Sequence, residues 1–422
     1  MATVTITQAS CADDYDPNSM PVAKAREFIH RFLAPVHGTL RVPVRSALGR
    51  VLAEDILSPV DVPSHRNSAM DGWAMRGADL AADRESTLQE IGVSFAGKPF
   101  GGKVAAGQCV RIMTGGVVPE GADTVVMQER AKAQGKSIAF APGAKTGQNV
   151  REAGEDLKRG SVALTRGRIV RPAQLGLIAS LGIGEVAVYR PLRVAFFSTG
   201  DELKGIGTPL GEGEIYDSNR YTIHGMLTRL GCEVLDMGVV RDDPEALERA
   251  FADAAANADV VITSGGVSVG EADFVKGMLG KLGEVVFWKI AMKPGRPLAY
   301  GKIGGAHFFG LPGNPVSVMV TFYQFVREAL LVLAGADPVE PVPTFTATCS
   351  TRLKKAPGRT EFQRGILTRG ADGALSVRPT GEQGSGILKS MSDANCFIIL
   401  GDSTGNVEPG TAVEVQLLEG IV

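Results

Sequence analysis

The chain is poor in the residues that build many common active sites. Its five cysteines, Cys11, Cys109, Cys232, Cys349 and Cys396, are odd in number, scattered and never spaced as C-x-x-C. That argues against a disulfide framework and a thiolate zinc site, and it fits a reducing compartment, so a cytoplasmic location is expected. The five histidines, His30, His37, His65, His224 and His307, form no H-x-x-x-H or other ligand spacing, which disfavours a zinc or histidine-based centre. His307 stands beside a buried strand, where a structural role is expected. A G-x-x-x-x-G-K-[ST] phosphate loop is absent, excluding an ordinary P-loop ATPase, and the missing G-x-S-x-G elbow lowers the case for a serine hydrolase. Met1 to Asp16 lacks the basic and apolar parts of a secretory signal and reads as a frayed polar tail. The longest apolar stretch, Val316 to Ala334, is interrupted by Gln324, Arg327 and Glu328, so it predicts a core-facing helix rather than a membrane span. Charge is balanced, with 44 basic against 46 acidic residues and a pI near 6.3, so neither a nucleic acid nor a membrane surface is expected as partner. Repeats and low-complexity tracts are also missing.

What is present is a long chain whose texture changes along its length. At 422 residues, a prior of ~150 residues per domain predicts about three domains. Ala25, Phe28, Ile29, Phe32 and Leu33 recur at helical spacing and predict an N-terminal helix. Short β-branched runs separated by Gly and Pro follow, predicting a small β-rich domain at 60–141, inserted into a discontinuous N-terminal domain at 1–59 and 142–190. The helical stretch Pro172 to Leu181 is expected to belong with the N-terminal helix. From Arg193 strands and helices alternate, with strands near 193–199, 233–240, 259–264, 284–290 and 306–311 and helices near 219–230, 244–257, 271–282 and 315–333. Asp243 is the expected N-cap of the second helix, with Pro244 at its first position, and Gly231 is expected to close the helix before it. The fold class is therefore a multidomain α/β protein. Its expected parts are a three-layer α/β domain at 191–335 with a mainly parallel sheet, the inserted β-rich domain, the discontinuous N-terminal domain, and a C-terminal β-barrel-like domain at 336–422.

Three strands run into loops of small and oxygen-bearing residues: Val194 to Glu202 (VAFFSTGDE), Val260 to Asp273 (VVITSGGVSVGEAD) and His307 to Ser317 (HFFGLPGNPVS). In an open α/β sheet such loops converge outside the carboxyl ends of the strands, where their N–H groups hold anions. Asp201, Glu202 and Asp273 would add hard oxygen ligands of the kind that hold Mg²⁺ against a phosphate. Asp217 and Asp242 lie near sheet elements and point to the same crevice, while Asp243 is explained by capping. Ser264, Gly265, Gly266 and Ser268 can turn donors toward a phosphate, and Pro315 opens a helix whose N-terminal N–H groups are a ready anion site. Lys293 and Arg296 sit on the proline-restricted turn KPGRP, placed to recognise an oxyanion. Each feature has a plainer alternative: a capped turn, a Gly-Gly turn, a proline-locked bend, a solvated charged loop. Asn67 to Trp73 (NSAMDGW) and Arg111 to Gly116 (RIMTGG) lie far away in the β-rich segment, and Asp-Gly is first of all a turn signal.

Taken together, NSAMDG at Asn67, RIMTG at Arg111, GED at Gly154, STGDEL at Ser198, RDD at Arg241, TSGGVSVGEAD at Thr263, KPG at Lys293 and GLPGNPVS at Gly310 resemble the molybdopterin molybdenumtransferases. This is the MoeA family, which includes the gephyrin E domain, and the resemblance runs from about Pro21 to the C-terminus. It implies insertion of molybdate into adenylylated molybdopterin with Mg²⁺-dependent release of AMP, giving molybdenum cofactor. It also implies a homodimer of four-domain subunits with active sites across the interface. By position, Asp201, Glu202, Asp217, Asp242 and Asp273 match acids around nucleotide, metal and substrate, with Glu202, Asp217 and Asp273 as the implied metal ligands. Asp71 and Thr114 match residues given by the partner subunit. Lys289, Lys293, Ser317, Arg364 and Ser385 match the anion and molybdate region, and Pro312 and Pro315 shape its loop. Asp156 matches a further acid. Arg296 departs from the resemblance, since many relatives carry a second lysine there, and a forked guanidinium offers different geometry.

Two other functions compete. A molybdopterin adenylyltransferase would resemble only the segment from about Arg193 to Ala334, and the Asn67, Thr114 and C-terminal segments have no counterpart in it. A scaffold role, as gephyrin also has, is disfavoured by the complete acidic set and the lack of a long partner-binding linker. Molybdopterin adenylyltransferase and molybdoenzymes are the expected transient partners.

Overall fold

The computed structural model describes residues 5–8, 19–266 and 272–418, without the side chains of residues 272–276. Its centre is a six-stranded sheet. In chain order these strands are β1 (Arg193–Thr199), β2 (Glu233–Val240), β3 (Val260–Ser264), β4 (Gly283–Lys289), β5 (Pro297–Ile303) and β6 (Ala306–Leu311). Their spatial order is β2-β1-β3-β6-β5-β4. The first four in that order are parallel, and β5 and β4 complete the sheet antiparallel. The chain leaves β1 toward β2 and returns to β3 on the other side, so β1 and β3 flank a topological switch point.

The strands read as unbroken apolar runs because both faces are covered. Val194 and Phe196 of β1 belong to one core with Ile223, Met226 and Leu227 of α1 (Ser218–Arg229), whereas Ala195 and Phe197 belong to another with Leu247, Phe251 and Ala254 of α2 (Pro244–Asn257). In α2 the buried Leu247, Ala250, Phe251 and Ala254 recur at helical spacing, and Phe251 packs edge-on against Phe197 at 5.1 Å and Phe308 at 5.5 Å. Its start is fixed as the sequence predicts: Asp243 accepts from the Ala246 N–H at 2.9 Å, with Pro244 next in the chain. Gly231, at φ +74°, turns the chain out of α1. The remaining helices are α3 (Ala272–Leu282) and α4 (Pro315–Leu333). The latter is apolar enough to cross a membrane but 67% buried, the core-facing helix expected.

Around this unit lie three smaller bodies. A six-stranded curled sheet uses Gly72–Met75, Ser86–Ser94, Gln108–Ile112, Thr124–Met127, Ala131–Gln134 and Ser137–Phe140. The segments on either side of it rejoin, since Thr39–Pro43 pairs with Glu185–Tyr189 and Ile56–Leu57 with Val162–Leu164 over a shared core of Leu52, Ile56, Leu164, Ile178 and Val188. At the C-terminal end Thr344–Cys349, Thr360–Arg369, Leu375–Pro379, Cys396–Leu400 and Ala412–Leu417 close into a five-stranded barrel.

Two expectations are corrected here, and one strand is added. The helix Val22–His30 does not belong with Pro172–Ser180: Phe28 packs edge-on against Trp288 at 5.0 Å in the core of the central sheet, and Ile178 lies in a separate core. The apolar face of the helix, Ala25, Phe28 and Ile29, shares one core with Trp288 and Phe325. The N-terminal tail is not simply frayed, since Ile6 is 2% exposed in that same core and its N–H donates to Glu284 at 2.7 Å. Strand β5 is an addition the sequence pattern did not reveal.

Candidate functional site: a cleft at the carboxyl edge of the central sheet

Register brings the loops together. Ser198 of β1 lies beside Ser264 of β3, and Ser264 lies beside Leu311 of β6, so the three strands end level and release their loops on one edge. The Gly265 N–H donates back to the Leu311 carbonyl at 3.2 Å. Gly265 and Gly266 have φ of +94° and +68°, and a Cβ on Gly265 would lie 2.7 Å from the Thr199 carbonyl oxygen. Only glycine fits there, so the loop can press against the end of β1. A cleft of ≈ 1150 Å³ opens over these ends.

One wall is acidic. Asp201, Glu202, Asp217 and Asp242 all line it. Asp217 is 3% exposed and caps α1, its Oδ1 accepting from the Arg220 N–H at 3.1 Å, while its Oδ2 is buried without a partner. Ser198 Oγ, Thr199 Oγ1 and Asn219 Oδ1 are likewise buried and unpartnered at this edge. Buried polar atoms are rarely left unsatisfied, and three of these belong to residues that line one cleft, Thr199, Asp217 and Asn219, which marks a surface built for a ligand.

The opposite wall is basic and hydroxylic. Lys293 and Arg296 line the cleft from the expected turn, with Pro312, Pro315, Ser317 and Ser385. That turn is stitched to the barrel, since Met292 and Lys293 pair with Thr360 and Glu361, and Lys293 Nζ lies 3.4 Å from Glu361 Oε1. The start of α4 is less open than its sequence implies, because the Val316 N–H already donates to the Ser385 carbonyl at 3.1 Å. This bond instead draws the barrel loop across the cleft.

Arg364 stands behind the wall. It is 1% exposed, and its guanidinium donates to Ser390 Oγ at 2.9 Å and to the carbonyls of Glu382, Gln383 and Gly384 at 3.3, 3.2 and 2.9 Å. Burial pushes its pKa down to about 10, which still leaves it charged at neutral pH. It holds the loop that presents Ser385. Lys289 ends β4, half-buried and off the cleft lining, and Ser268 and the Asp273 side chain lie outside the described residues.

Asp71 and Thr114 come together on the curled sheet but away from the cleft. Asp71 Oδ1 accepts from the Thr114 N–H at 2.7 Å and from its hydroxyl at 2.8 Å. Those two bonds, with the nearby Arg111 guanidinium, hold the Asp71 carboxyl below its ordinary pKa. The rejected histidine behaves as expected: His307 is 7% exposed, near Tyr300 Oη at 3.4 Å, and burial pushes its pKa down to about 4, so it is neutral at physiological pH. Among the described residues no three His, Cys, Asp or Glu side chains converge as a ready-made metal cage. Residues that line the cleft without having been anticipated include Asn219, Arg359 and Gln383.

Comparison with known proteins identifies the family to which this chain is similar along most of its length. Residues 20–182 match the MoeA N-terminal region (domain I and II), residues 195–331 the probable molybdopterin binding domain, and residues 346–418 the MoeA C-terminal region (domain IV). The molybdopterin molybdenumtransferase of Haemophilus influenzae is 48% identical over 374 residues, covering 88% of this chain and 92% of that protein. That of Bacillus subtilis is 35% identical over 387 residues, covering 89% of each. The crystal structure of the molybdopterin biosynthesis moeA protein from Pyrococcus horikoshii OT3 superposes with a TM-score of 0.80 at 30% identity, covering 95% of this chain and 100% of that one. The fold and these relatives define a transferase of molybdenum cofactor biosynthesis. The chain belongs to the molybdopterin molybdenumtransferase, or MoeA, family.

Proposed function

We propose that the chain inserts molybdate into adenylylated molybdopterin and releases AMP in a Mg²⁺-dependent reaction. The observation that carries this reading is the mixed lining of one cleft, which brings Asp201, Glu202, Asp217 and Asp242 together with Lys293, Arg296, Ser317 and Ser385. The substrate joins a phosphoanhydride, which needs positive charge and backbone donors, to a dithiolene that must meet a tetrahedral dianion. Molybdate calls for fixed cationic and hydroxyl donors, and the basic wall has both.

The acidic wall suits Mg²⁺, an ion that commonly takes one or two carboxylates and completes its shell with water and substrate phosphate. The unpartnered Oδ2 of Asp217 supports this, and Glu202 and Asp273 are the other proposed ligands. When bound, the ion would supply charge neutralisation at the cleaved anhydride. Gly265 and Gly266 let the backbone approach the phosphates closely, with Ser264 and Ser268 as hydroxyl donors. Asp201 and Asp242 orient the substrate and its attacking oxygen, and Lys289 supplements the positive field around molybdate.

The remaining parts of the reading are a homodimer, in which Asp71 and Thr114 reach the partner's cleft, and a cytoplasmic location beside molybdopterin adenylyltransferase and molybdoenzymes. The test mixes purified protein with adenylylated molybdopterin, Mg²⁺ and molybdate, and follows AMP and dithiolene-bound molybdenum. Molybdate-dependent AMP release is expected. Binding of the substrate without release under these conditions would overturn the proposal.

A further inference from the structure

Asn219 occupies a position that none of the charged residues explains. It is the second residue of α1, 9% exposed, and it lines the cleft. Its Nδ2 donates to Ser264 Oγ at 2.8 Å and to the Gly313 carbonyl at 2.6 Å. One carboxamide therefore ties the end of β3, where its loop begins, to the loop after β6, beside the Gly265 to Leu311 bond. Both amide hydrogens are committed, which fixes the orientation of the group. The other end, Oδ1, is buried and has no partner.

We infer that Asn219 is a positioning and binding residue: its amide N–H groups lock the two anion loops at one spacing, and its Oδ1 accepts a hydrogen bond from a neutral donor of the bound substrate. A carboxamide is the side chain this role requires. Aspartate would keep an acceptor but set a negative charge against the Gly313 carbonyl, and serine would be too short to reach both loops. An ordered acceptor with its donors already fixed takes an N–H or O–H and repels an anion, so of the ligand's own groups Asn219 meets the nucleoside or pterin part and not the phosphates. This specificity role rests on the proposed substrate, whereas the loop lock stands apart from it.

The experiment uses the full chain and the variants Asn219→Ala, Asn219→Asp and Ser264→Ala. Hydrogen exchange on the ligand-free proteins reads the lock, with thermal melting to report that the fold is kept. Asn219→Ala and Asn219→Asp should speed exchange at the amides of Ser264 to Gly266 and of Gly313, Asn314, Val316 and Ser317 at least tenfold, while amides of the curled sheet stay unchanged. Ser264→Ala, which cuts one anchor without altering the helix, should do so at the first loop alone. AMP binding then reads the acceptor, and Asn219→Ala should weaken it roughly tenfold, the usual consequence of deleting a buried hydrogen-bonding partner. Unchanged AMP affinity in Asn219→Ala, with molybdopterin affinity lowered, would move the donor to the pterin half and keep the inference. Equal affinity for both ligands and unchanged loop exchange would overturn it. A wild-type protein that binds substrate but releases no AMP would sink the proposed reaction and leave the exchange result standing.

Discussion

At the scale of single residues, what the sequence discloses depends on whether a side chain's chemistry or its surroundings define its role. The acids Asp201, Glu202, Asp217 and Asp242 and the cations Lys293 and Arg296 are legible because their charges recur in loops around one sheet, and all six line the cleft. Asn219 is not legible, because an amide in a turn signals only a turn, and its two anchors are 45 and 94 residues away. Arg364 shows the converse, since its charge is legible but its burial behind the loop is not. Replacing it with Ala would leave three carbonyls and the Ser390 hydroxyl without their donor, at a cost of about 2–4 kcal/mol. A urea melt should show that loss, together with faster exchange at residues 382–385. Gly265→Ala tests a different kind of residue. With φ at +94° and a Cβ placed 2.7 Å from the Thr199 carbonyl, the loop must move away from β1. A stability loss of about 1–2 kcal/mol and at least a tenfold loss of AMP affinity are expected, and native affinity by titration calorimetry would refute the close-packed loop.

Among elements, the pattern of apolar residues reports burial faithfully but pairing poorly. Strands β1 and β3 and helix α2 emerge within a residue or two of their sequence-based limits, since both-face burial writes a continuous run and capping writes a boundary. Strand β5 is obscured by its opening Pro297 and by Gly301, residues that usually break strands. Pro297 is tolerated at a strand's first position, and Gly301 is required because a Cβ there would lie 2.1 Å from the Glu284 carbonyl of the neighbouring strand. The entry to β3 carries a pH dependence. Asp259 accepts two bonds from the Arg190 guanidinium at 2.6 and 2.7 Å and one from the Arg193 N–H at 2.8 Å. Burial raises its carboxyl, but these bonds outweigh burial and hold it below its ordinary 3.8. A folded pKa depressed below the unfolded one contributes stability that is complete above the ordinary value and lost as pH falls through the folded one. Between about pH 5 and about pH 3 the urea midpoint should therefore fall more steeply in the wild type than in Asp259→Asn. Parallel slopes would mean that this pair contributes nothing.

Over the whole molecule, the puzzle is that two distant motifs meet each other but not the cleft. Asp71 and Thr114 are 43 residues apart in sequence, yet they are joined by two short hydrogen bonds on the exposed face of the curled sheet. Nothing in the stability of that sheet requires the pair, because both residues are exposed, and an exposed hydrogen-bonded pair adds little to folding. Its carboxylate is held ionised by the Thr114 donors, in a state suited to contact a cation or a donor on another surface. A second copy of the chain could supply that surface by two-fold symmetry, each curled sheet reaching the other subunit's cleft. Complementation decides the matter. Asp71→Ala and Glu202→Ala should each be inactive as pure proteins. If the clefts are shared, a mixed dimer carries both lesions in one site and neither in the other, so random reassociation of equal amounts should restore roughly a quarter of wild-type activity. If each subunit is self-sufficient, every site in the mixture keeps one lesion and no activity returns, which would end the shared-site reading while leaving the chemistry of the cleft itself untouched.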